Sequence, residues 1–383
     1  MREALKQARK GLGRTSPNPV VGAVIVRNGD IIASGYHKRA GYPHAEIEAL
    51  RKMGGKTRRG DSLYVTLEPC NHYGRTPPCT EAILKSGLKK VFIGIKDPNP
   101  NVSGGGSRFL EENGIEVQTG LLESECRRVN EAYIKFITTG RPFVMAKSAM
   151  TMDGWTATST GHSQWITNEN SRRYVHGLRD KMDGVMVGVG TVLADDPSLT
   201  ARLKNRKGMD PIRIIVDTQL KTPLTSKVVK HDSPSKTFIA VGEGVPSERL
   251  NGIKRDGVST IVCPTRNGRI NLNALMNILG GMSVTSLLVE GGSDVMGSMI
   301  RERLIDKFYL FKAPKILGGD DGIPMASGTG AKRMDHCLHL KDIKVRRFRD
   351  DILCIGYPDY SFQGKAAAYK KQVAGRKGKG KNS

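Results

Sequence analysis

Four residues from three separate segments most constrain how this chain can fold, because their side chains are suited to one metal centre. His44 and Glu46 are separated by one alanine, and Cys70 and Cys79 lie further along the chain. Pro43 favours a helix start, which places His44 and Glu46 in its first turn, roughly 200° apart about the axis. Cys70 follows a strand pattern, and Cys79 precedes a helix whose N-terminus favours a thiolate. The fold must therefore bring two helix starts beside one strand end.

These residue types are suited to hydrolytic deamination of a heteroaromatic amine. One histidine and two cysteines bind zinc and leave a position for water in the signature H-x-E followed by P-C-x-x-C. Zinc lowers the pKa of its bound water toward about 7, and a glutamate that does not bind the metal shuttles the proton. We therefore expect about one Zn²⁺ per chain. His44, Cys70 and Cys79 are its expected ligands, and Glu46 is the expected catalytic residue.

The spacing of the two cysteines departs from that signature, since the segment NHYGRTPP replaces the usual two residues. Two alternatives remain open from the residues alone. The four side chains could be ordinary buried groups, or the zinc could be structural and closed by His72 as a fourth ligand. Both alternatives are less favoured than the catalytic site.

Strand and helix patterns alternate along the chain and restart once. Before residue 141 the order is helix, hairpin with a turn at Asn28-Gly29, helix, strand, helix and strand, with a further helix over 127–137. After TTGRPF a new strand begins at 143–149, followed by a helix near 169–180 and the strands DGVMVGVG, PIRIIVD, KTFIAV, SLLVEGG, KFYLFKAPKIL and DILCIGYP. We predict an α/β protein with domains at 1–141 and 142–360 and a disordered basic tail at 361–383.

Charge and cysteine content bear on partners and location. The formal net charge is +24, which attracts polyanions but most often marks a basic, solvated surface. Non-specific RNA binding by the basic tail is the less favoured alternative to a solubilising role. The six cysteines are irregularly spaced, no run of eighteen apolar residues occurs, and no signal-like stretch is present. We expect a cytoplasmic protein with free thiols and no membrane partner.

The second half carries two glycine-rich turns that could hold a phosphate. Gly188-Val189-Gly190-Thr191 and Gly291-Gly292-Ser293 each follow an apolar strand, and small residues free backbone amides for an anion. No G-x-G-x-x-G follows a strand there, so each turn alone is a weak signal. Nothing in the second half indicates a flavin or a metal.

Whole motifs in both halves of the chain resemble those of one enzyme family. TSPNPVVGAVIV, GYPHAEIEAL, LEPCNHYGRTPPC and KDPNPNVSGGG, then KSAMTMDG, GHSQWIT, TVLADDPSLTAR, LLVEGG and APKILGG, resemble the bifunctional deaminase/reductase family of riboflavin biosynthesis. The resemblance implies a cytidine-deaminase-like layered α/β domain followed by a dihydrofolate-reductase-like α/β domain. It further implies zinc-dependent deamination of 2,5-diamino-6-ribosylamino-4(3H)-pyrimidinone 5′-phosphate, then NADPH-dependent reduction of the ribosyl group to ribityl.

The resemblance also implies roles for matched positions. In the deaminase half it assigns the substrate to four residues: Asn18, His37, His72 and Arg75. In the reductase half it assigns NADPH to Ala149, Trp165, Thr191, Asp195, Thr218, Gly292, Ser293, Asp294, Val295, Met296, Gly297 and Ser298. It assigns the reductase substrate to Ser163, Arg179, Leu199, Arg202 and Glu290. Lys147 and Asp153 sit in a matched motif where the sugar could lie, and Lys147 is a weaker candidate for a proton or phosphate contact.

Two of these assignments also follow physical reasoning. Arginines such as Arg179 and Arg202 bind a phosphate dianion with paired hydrogen bonds, and Glu290 at a strand end can accept from ribose hydroxyls. The rival functions are a nucleic-acid deaminase, which shares the zinc signature, and a binding module with an inactive reductase half. The loop after Cys70 and the matched second half favour a small-molecule substrate, with no specific nucleic acid. Family resemblance implies a homo-oligomer.

Overall fold

A computed structural model describes residues 1–58, 60–73, 77–100, 105–230 and 233–361. The chain divides into two compact units. Unit 1 comprises Met1–Phe143 with Asn277–Thr285, and unit 2 comprises Val144–Met276 with the chain from Ser286 onward. Across the described residues, every helix is too short or too polar to cross a bilayer. The predicted tail falls outside the described residues, apart from Ser361.

Unit 1 is built on a five-stranded sheet in the order β2-β1-β3-β4-β5. β2 and β3 pair antiparallel with β1, while β3, β4 and β5 run parallel. The strands are β1 Gly22–Arg27, β2 Asp30–Tyr36, β3 Ser62–Leu67, β4 Lys90–Ile95 and β5 Glu116–Thr119. The helices are α1 Arg2–Ala8, α2 Ala45–Arg51, α3 Cys79–Ser86, α4 Gly106–Glu112, α5 Glu123–Val129 and α6 Glu131–Thr139.

Two glycines place α1 and α2 on opposite faces of this sheet. Gly22 and Gly35 lie at adjacent register positions of the β1–β2 pair, so they face opposite sides. A Cβ at Gly22 would lie 2.0 Å from the α1 carbonyl of Ala4, and one at Gly35 would lie 2.3 Å from the α2 carbonyl of Ala45. Only glycine permits both close approaches. The layered α/β architecture expected for the first half is confirmed, with α2 held tightly against the strands.

The predicted hairpin is confirmed, and the predicted helix over 127–137 is two helices. Asn28 and Gly29 both adopt positive φ, which suits a tight turn between β1 and β2. The chain breaks between α5 and α6 at Asn130, whose side chain is buried. Its Oδ1 accepts from the Val20 backbone N–H at 2.9 Å, and its Nδ2 donates to the Val20 carbonyl at 3.0 Å. The break between the two helices coincides with this contact.

Unit 2 is built on a nine-stranded sheet in the order β11-β10-β9-β8-β14-β6-β15-β18-β17, in which the last two strands run antiparallel to their neighbours. Its strands are β6 Phe143–Met150, β8 Gly184–Gly188, β9 Ile212–Val216, β10 Thr237–Gly242, β11 Val258–Cys263, β14 Ser286–Gly291, β15 Lys307–Lys312, β17 His339–Phe348 and β18 Asp351–Asp359. Two short ribbons pair β7 Trp155–Ala157 with β16 Ile323–Pro324, and β12 Thr265–Arg266 with β13 Arg269–Ile270. Its helices are α7 Glu169–Arg179, α8 Val189–Asp195, α9 Lys227–Lys230, α10 Ser247–Ile253 and α12 Ser293–Arg301. A further helix, α11 Leu272–Gly281, starts in unit 2, and its residues from Asn277 onward belong to unit 1.

The central strands of unit 2 are buried on both faces, which explains why their sequences are continuously apolar. All five residues of β8 are buried, and β9, β10 and β14 contribute Ile215, Val241 and Leu287 to the core. The edge strand β17 is almost wholly exposed. Its sequence therefore lacks the alternation of apolar and polar residues that predicts a strand, and β17 is not among the strands predicted from the sequence. Functional side chains therefore gather where the carboxyl ends of the buried parallel strands meet.

The contact of Asn130 with Val20 gives a stability prediction. Asn130→Ala leaves a buried N–H and a buried carbonyl of Val20 without partners, at roughly 1–3 kcal/mol for each group. We expect the free energy of unfolding of unit 1 to fall by that order, measured by urea titration with peptide-resolved hydrogen exchange. Asn113→Ala, at an exposed asparagine in the same unit, is the control. Equal stability of the two variants would contradict the role of Asn130.

Candidate functional site

Three predicted metal ligands converge on one point in unit 1. His44 precedes α2 as its N-cap in extended conformation, one residue outside the helix that was expected to contain it. Cys70 lies in the loop after β3, and Cys79 is the first residue of α3. The ligand atoms of the three residues lie within 4.8 Å of one another, with His44 Nδ1 3.2 Å from the Cys79 sulfur and 3.5 Å from that of Cys70.

The two thiols are already arranged as a proton-sharing pair. Their mutual hydrogen bond lowers the pKa of Cys70 to about 4 and raises that of Cys79. The backbone N–H of Cys79 also donates to the Cys70 sulfur at 3.3 Å. A thiolate beside a second thiol and an imidazole is a donor set that zinc prefers. The residues present therefore fit a zinc ion with three protein ligands.

Glu46 lies in the first turn of α2 beside these donors. Its side chain is 3% exposed, and its Oε2 has no hydrogen-bond partner within the described residues. Burial raises the pKa of Glu46 to about 7. A buried carboxyl with a free oxygen can take up and release a proton near neutral pH, as a general acid and base must.

A second pair of predicted residues lies against the metal site. The rings of His37 and His44 are 5.2 Å apart in an edge arrangement. His37 Nδ1 lies 3.2 Å from the carbonyl of Pro43, and since a carbonyl only accepts, this nitrogen carries the proton. Burial lowers the pKa of His37, so the ring is neutral and its Nε2 accepts from Asn18 Nδ2 at 3.2 Å. Asn18 is thereby oriented beside the centre.

The loop between the cysteines is only partly described. His72 is exposed, so it does not close the zinc site as a fourth ligand within this structure. Arg75 lies outside the described residues.

Unit 2 contains a cavity of about 1290 Å³ at the carboxyl ends of its parallel strands. Most residues assigned by resemblance to the reductase half line it, and Gly297 and Asp153 do not. The lining includes Lys147, Ala149, Ser163, Trp165, Arg179, Thr191, Asp195, Leu199, Arg202, Thr218, Glu290, Gly292, Ser293, Asp294, Val295, Met296 and Ser298.

The two residues outside the cavity have structural contacts instead. A Cβ at Gly297 would lie 2.0 Å from the carbonyl of Ser327, so α12 passes close to that segment. Asp153 accepts backbone N–H groups of Leu317 and Gly318 at 3.0 Å. The hydrogen bond from the Thr151 hydroxyl, followed by these two backbone hydrogen bonds, lowers the pKa of Asp153 to about 2. Asp153 fixes a loop, and the expectation that it sits where the sugar lies is not supported by its contacts.

A buried ion pair anchors one end of the cavity. Arg179 donates from Nε and Nη2 to the two oxygens of Glu290 at 2.5 and 2.9 Å, and from Nη1 to the carbonyl of Thr200. The Glu290 side chain is only 5% exposed. Burial opposes its charge, yet Arg179 holds the pKa of Glu290 below its usual range. Lys147 Nζ lies 3.9 Å from the same carboxylate, and burial lowers the pKa of Lys147.

The two predicted glycine-rich turns meet at the centre of the cavity. Gly188 ends β8 before α8, and Gly292 follows the neighbouring strand β14 before α12. A Cβ on Gly292 would lie 3.4 Å from Gly188, and one on Gly188 would lie 2.9 Å from Val295. The buried Ser293 Oγ has no hydrogen-bond partner among the residues described. Free amides and an unpartnered hydroxyl fit a phosphate, so the cavity fits the pyrophosphate of NADPH.

Several lining residues carry no signal in the sequence. Arg172 lies over the Trp165 ring at 4.4 Å and donates to the carbonyl of Thr167. Lys221 and Arg269 also line the cavity. Arg172 lies inside α7, Lys221 follows β9 and Arg269 starts β13, so only the folded sheet shows that they face the same space.

Family models match most of the chain, one in each half. Residues 1–95 match the cytidine and deoxycytidylate deaminase zinc-binding region, and residues 142–354 match the RibD C-terminal domain. The riboflavin biosynthesis protein RibD of Actinobacillus pleuropneumoniae is 42% identical over 354 residues, covering 92% of this chain and 93% of that protein. RibD of Escherichia coli K12 is 39% identical over 363 residues, covering 92% and 96%.

Solved structures agree with these matches. A diaminohydroxyphosphoribosylaminopyrimidine deaminase/5-amino-6-(5-phosphoribosylamino)uracil reductase from Thermotoga maritima is 36% identical, with a TM-score of 0.81 over 94% of this chain and 97% of its own. Acinetobacter baumannii RibD is 35% identical with a TM-score of 0.83 and the same coverage. The expected cytidine-deaminase-like and dihydrofolate-reductase-like α/β folds are confirmed. The chain belongs to the RibD family of bifunctional riboflavin-biosynthesis enzymes, which join a zinc-binding deaminase domain to an NADPH-dependent reductase domain.

Proposed function

We propose that this chain deaminates 2,5-diamino-6-ribosylamino-4(3H)-pyrimidinone 5′-phosphate in its first domain and reduces the ribosyl group of the product in its second. The T. maritima relative, named for both activities, supports this substrate. In the first step water replaces the ring amino group, and ammonia leaves. In the second step the sugar gains a hydride and a proton and becomes a ribityl chain.

One observation carries the deaminase half. Glu46 is buried beside three converging zinc donors, with one carboxylate oxygen left unpartnered among the described side chains. A structural zinc site needs no such acid, because its metal is fully occupied by protein ligands. The unpartnered oxygen is explained if Glu46 faces a reacting molecule.

The residues of the first domain divide the work of deamination. His44, Cys70 and Cys79 would hold the zinc, which when bound would supply an activated water as the nucleophile. Glu46 takes the proton of that nucleophile at Oε2 and returns it to the leaving amino group. His37 acts through Asn18: the neutral imidazole orients the Asn18 amide, which offers a fixed hydrogen bond to the pyrimidine. His72 and Arg75 are proposed substrate contacts from the loop, where the positive charge of Arg75 suits a phosphate or carbonyl oxygen.

The residues of the second domain bind and orient the sugar. NADPH supplies the hydride. Glu290, fixed by Arg179, accepts from a ribose hydroxyl, and Lys147 provides a proton donor 3.9 Å from the same carboxylate. Arg179 uses Nε and Nη2 for the two hydrogen bonds to the Glu290 carboxylate. We therefore assign the substrate phosphate to the exposed Arg202, which has no ion pair within the described chain.

The remaining contacts are part of the same proposal. Ser163 and Leu199 hold the substrate, and Ser163 Oγ donates to Asp195 at 3.0 Å. The cofactor contacts are Ala149, Trp165, Thr191, Asp195, Thr218, residues 292–296 and Ser298. The proposed domains are 1–141 and 142–360, with a basic tail after them. We place the enzyme in the cytoplasm, since thiol ligands need a reducing compartment, and propose a homo-oligomer with no specific nucleic-acid partner.

The proposed role of Glu46 predicts a variant that separates metal binding from chemistry. Glu46→Gln keeps the ligands and should retain about one zinc per chain while losing deamination by roughly 10²–10⁴-fold. Zinc is measured by atomic emission and deamination by ammonia release. Glu48→Gln, on the same helix and paired with Lys38, is the matched control. Unchanged deamination in Glu46→Gln would remove Glu46 from the mechanism.

The assignment of the substrate phosphate to Arg202 predicts a selective defect. Arg202→Ala should lower kcat/KM for the reduction by roughly 10–100-fold, mostly through KM, because a charge-assisted hydrogen bond to the phosphate is lost. Deamination by the same preparation should be unchanged. Lys204→Ala removes a nearby cation that does not line the cavity. If both variants reduce the substrate equally well, Arg202 does not bind its phosphate.

A further inference from the structure

One side chain beside the substrate end of the reductase cavity takes no part in the proposed reaction. His176 lies on α7, three residues before Arg179, so the two side chains share one face of that helix. Arg179 lines the cavity and His176 does not. Any effect of His176 on the substrate must therefore pass through the residues that it contacts.

His176 contacts the backbone of the segment that carries Arg202. The Arg202 N–H donates to His176 Nδ1 at 3.2 Å, and the same nitrogen lies 3.0 Å from the carbonyl of Thr200. A ring nitrogen either accepts or donates, so only one of these contacts is a hydrogen bond. The Thr200 carbonyl already accepts from Arg179 Nη1 at 3.1 Å, whereas the Arg202 N–H has no other acceptor within the described residues.

The protonation of the ring agrees with the contact to Arg202. Burial, followed by the charge of Arg179, lowers the pKa of His176. The ring is therefore neutral at pH 7, and one of its nitrogens must be an acceptor. Nδ1 is that acceptor, because the backbone N–H of Arg202 points at it.

The backbone before Arg202 has a conformation that needs such contacts. Leu199 adopts φ +54°, a left-handed conformation that costs energy and persists where the surroundings enforce it. The Ala201 N–H donates to Asp210 Oδ1 at 2.7 Å, which fixes the middle of the segment. His176 fixes its end, at the residue that lines the cavity. Loss of the His176 contact would therefore release the backbone of Arg202 and leave the rest of the segment held.

One face of α7 thereby connects two parts of the substrate site. Arg179 fixes the Glu290 carboxylate, to which the proposed function assigns a ribose hydroxyl. His176 fixes Arg202, to which it assigns the phosphate. Because both contacts start from one helix, that helix sets the spacing between the carboxylate and the backbone of Arg202. This spacing has to suit a sugar that carries a phosphate.

We propose that His176 is a positioning residue of the reductase, which aims Arg202 at the substrate phosphate by accepting the hydrogen bond of its backbone N–H. This inference rests on the proposed function, in which Arg202 binds that phosphate. His176 lies outside the cavity, so it takes no part in hydride or proton transfer. Its contribution is to the binding of a phosphorylated sugar.

The test compares the deaminated product with its dephosphorylated form as substrates for reduction by NADPH. His176→Phe keeps a ring of similar size without a nitrogen, and His176→Ala is a second variant with the same loss. For the phosphorylated substrate we expect KM to rise about three- to tenfold and kcat to change less than about twofold, since one hydrogen bond is lost. For the dephosphorylated substrate both constants should stay within about twofold, because it offers Arg202 no phosphate.

Further variants separate positioning from a general structural defect. His176→Asn places an amide oxygen near the position of Nδ1, so it should restore most of the lost affinity. Adding His176→Phe to Arg202→Ala should raise KM by less than about twofold over Arg202→Ala alone, because His176 acts through Arg202. Arg173→Ala, on the exposed side of the same helix, is the matched control and should leave both constants unchanged.

Several outcomes would overturn this inference and leave the proposed function standing. They are an equal loss with both substrates, no rescue by His176→Asn, full additivity with Arg202→Ala, and failure of both His176→Phe and His176→Ala to fold. An unchanged KM in those two variants, with Arg202→Ala impaired, would do the same. If Arg202→Ala reduces the substrate normally, or the unaltered chain reduces neither substrate, the proposed function fails and this inference fails with it.

Discussion

The deaminase centre depends on three electron-pair donors that the fold holds together at one point. His44 and the sulfurs of Cys70 and Cys79 come from the start of α2, the loop after β3 and the start of α3. His44 Nδ1 lies 3.2 Å from the Cys79 sulfur, and the Cys79 N–H donates to the Cys70 sulfur at 3.3 Å. Their position follows from the tight seating of α2 on the sheet, where Gly35 permits backbone contact with Ala45. The buried Glu46 then faces the same point because it lies on the first turn of that helix.

The reductase site follows from a different constraint, the parallel arrangement of buried strands. β6, β14, β8 and β9 are consecutive in the sheet, so residues at or beyond their carboxyl ends share one cavity. The bidentate pair of Arg179 and Glu290 keeps a carboxylate charged at one end of it. The glycine-rich turns occupy the middle strands, and the cations beyond β9 occupy the other end.

Much of this architecture is readable from the sequence because its signals are local. The metal ligands, Glu46, the hairpin at Asn28-Gly29 and the apolar strands are all set by residues close together in the chain. The features that could not be predicted from the sequence depend on contacts between residues far apart in the chain. Asn130 lies at a break between two helices and hydrogen-bonds Val20, 110 positions away. Arg179 was expected to bind a phosphate, but it pairs with Glu290, 111 positions away. That Lys221 and Arg269 line the same cavity appears only once β9 is placed in the sheet.

We propose that one chain carries two centres, of which only the first needs zinc. The direct measurement follows the absorbance of reduced nicotinamide in untreated and chelator-treated protein, supplied with NADPH and either the diamino substrate or its deaminated product. Chelator-treated protein should fail to oxidise NADPH with the diamino substrate and should do so normally with the deaminated product. Oxidation with the diamino substrate after zinc removal, or loss of activity on the deaminated product, would contradict the account.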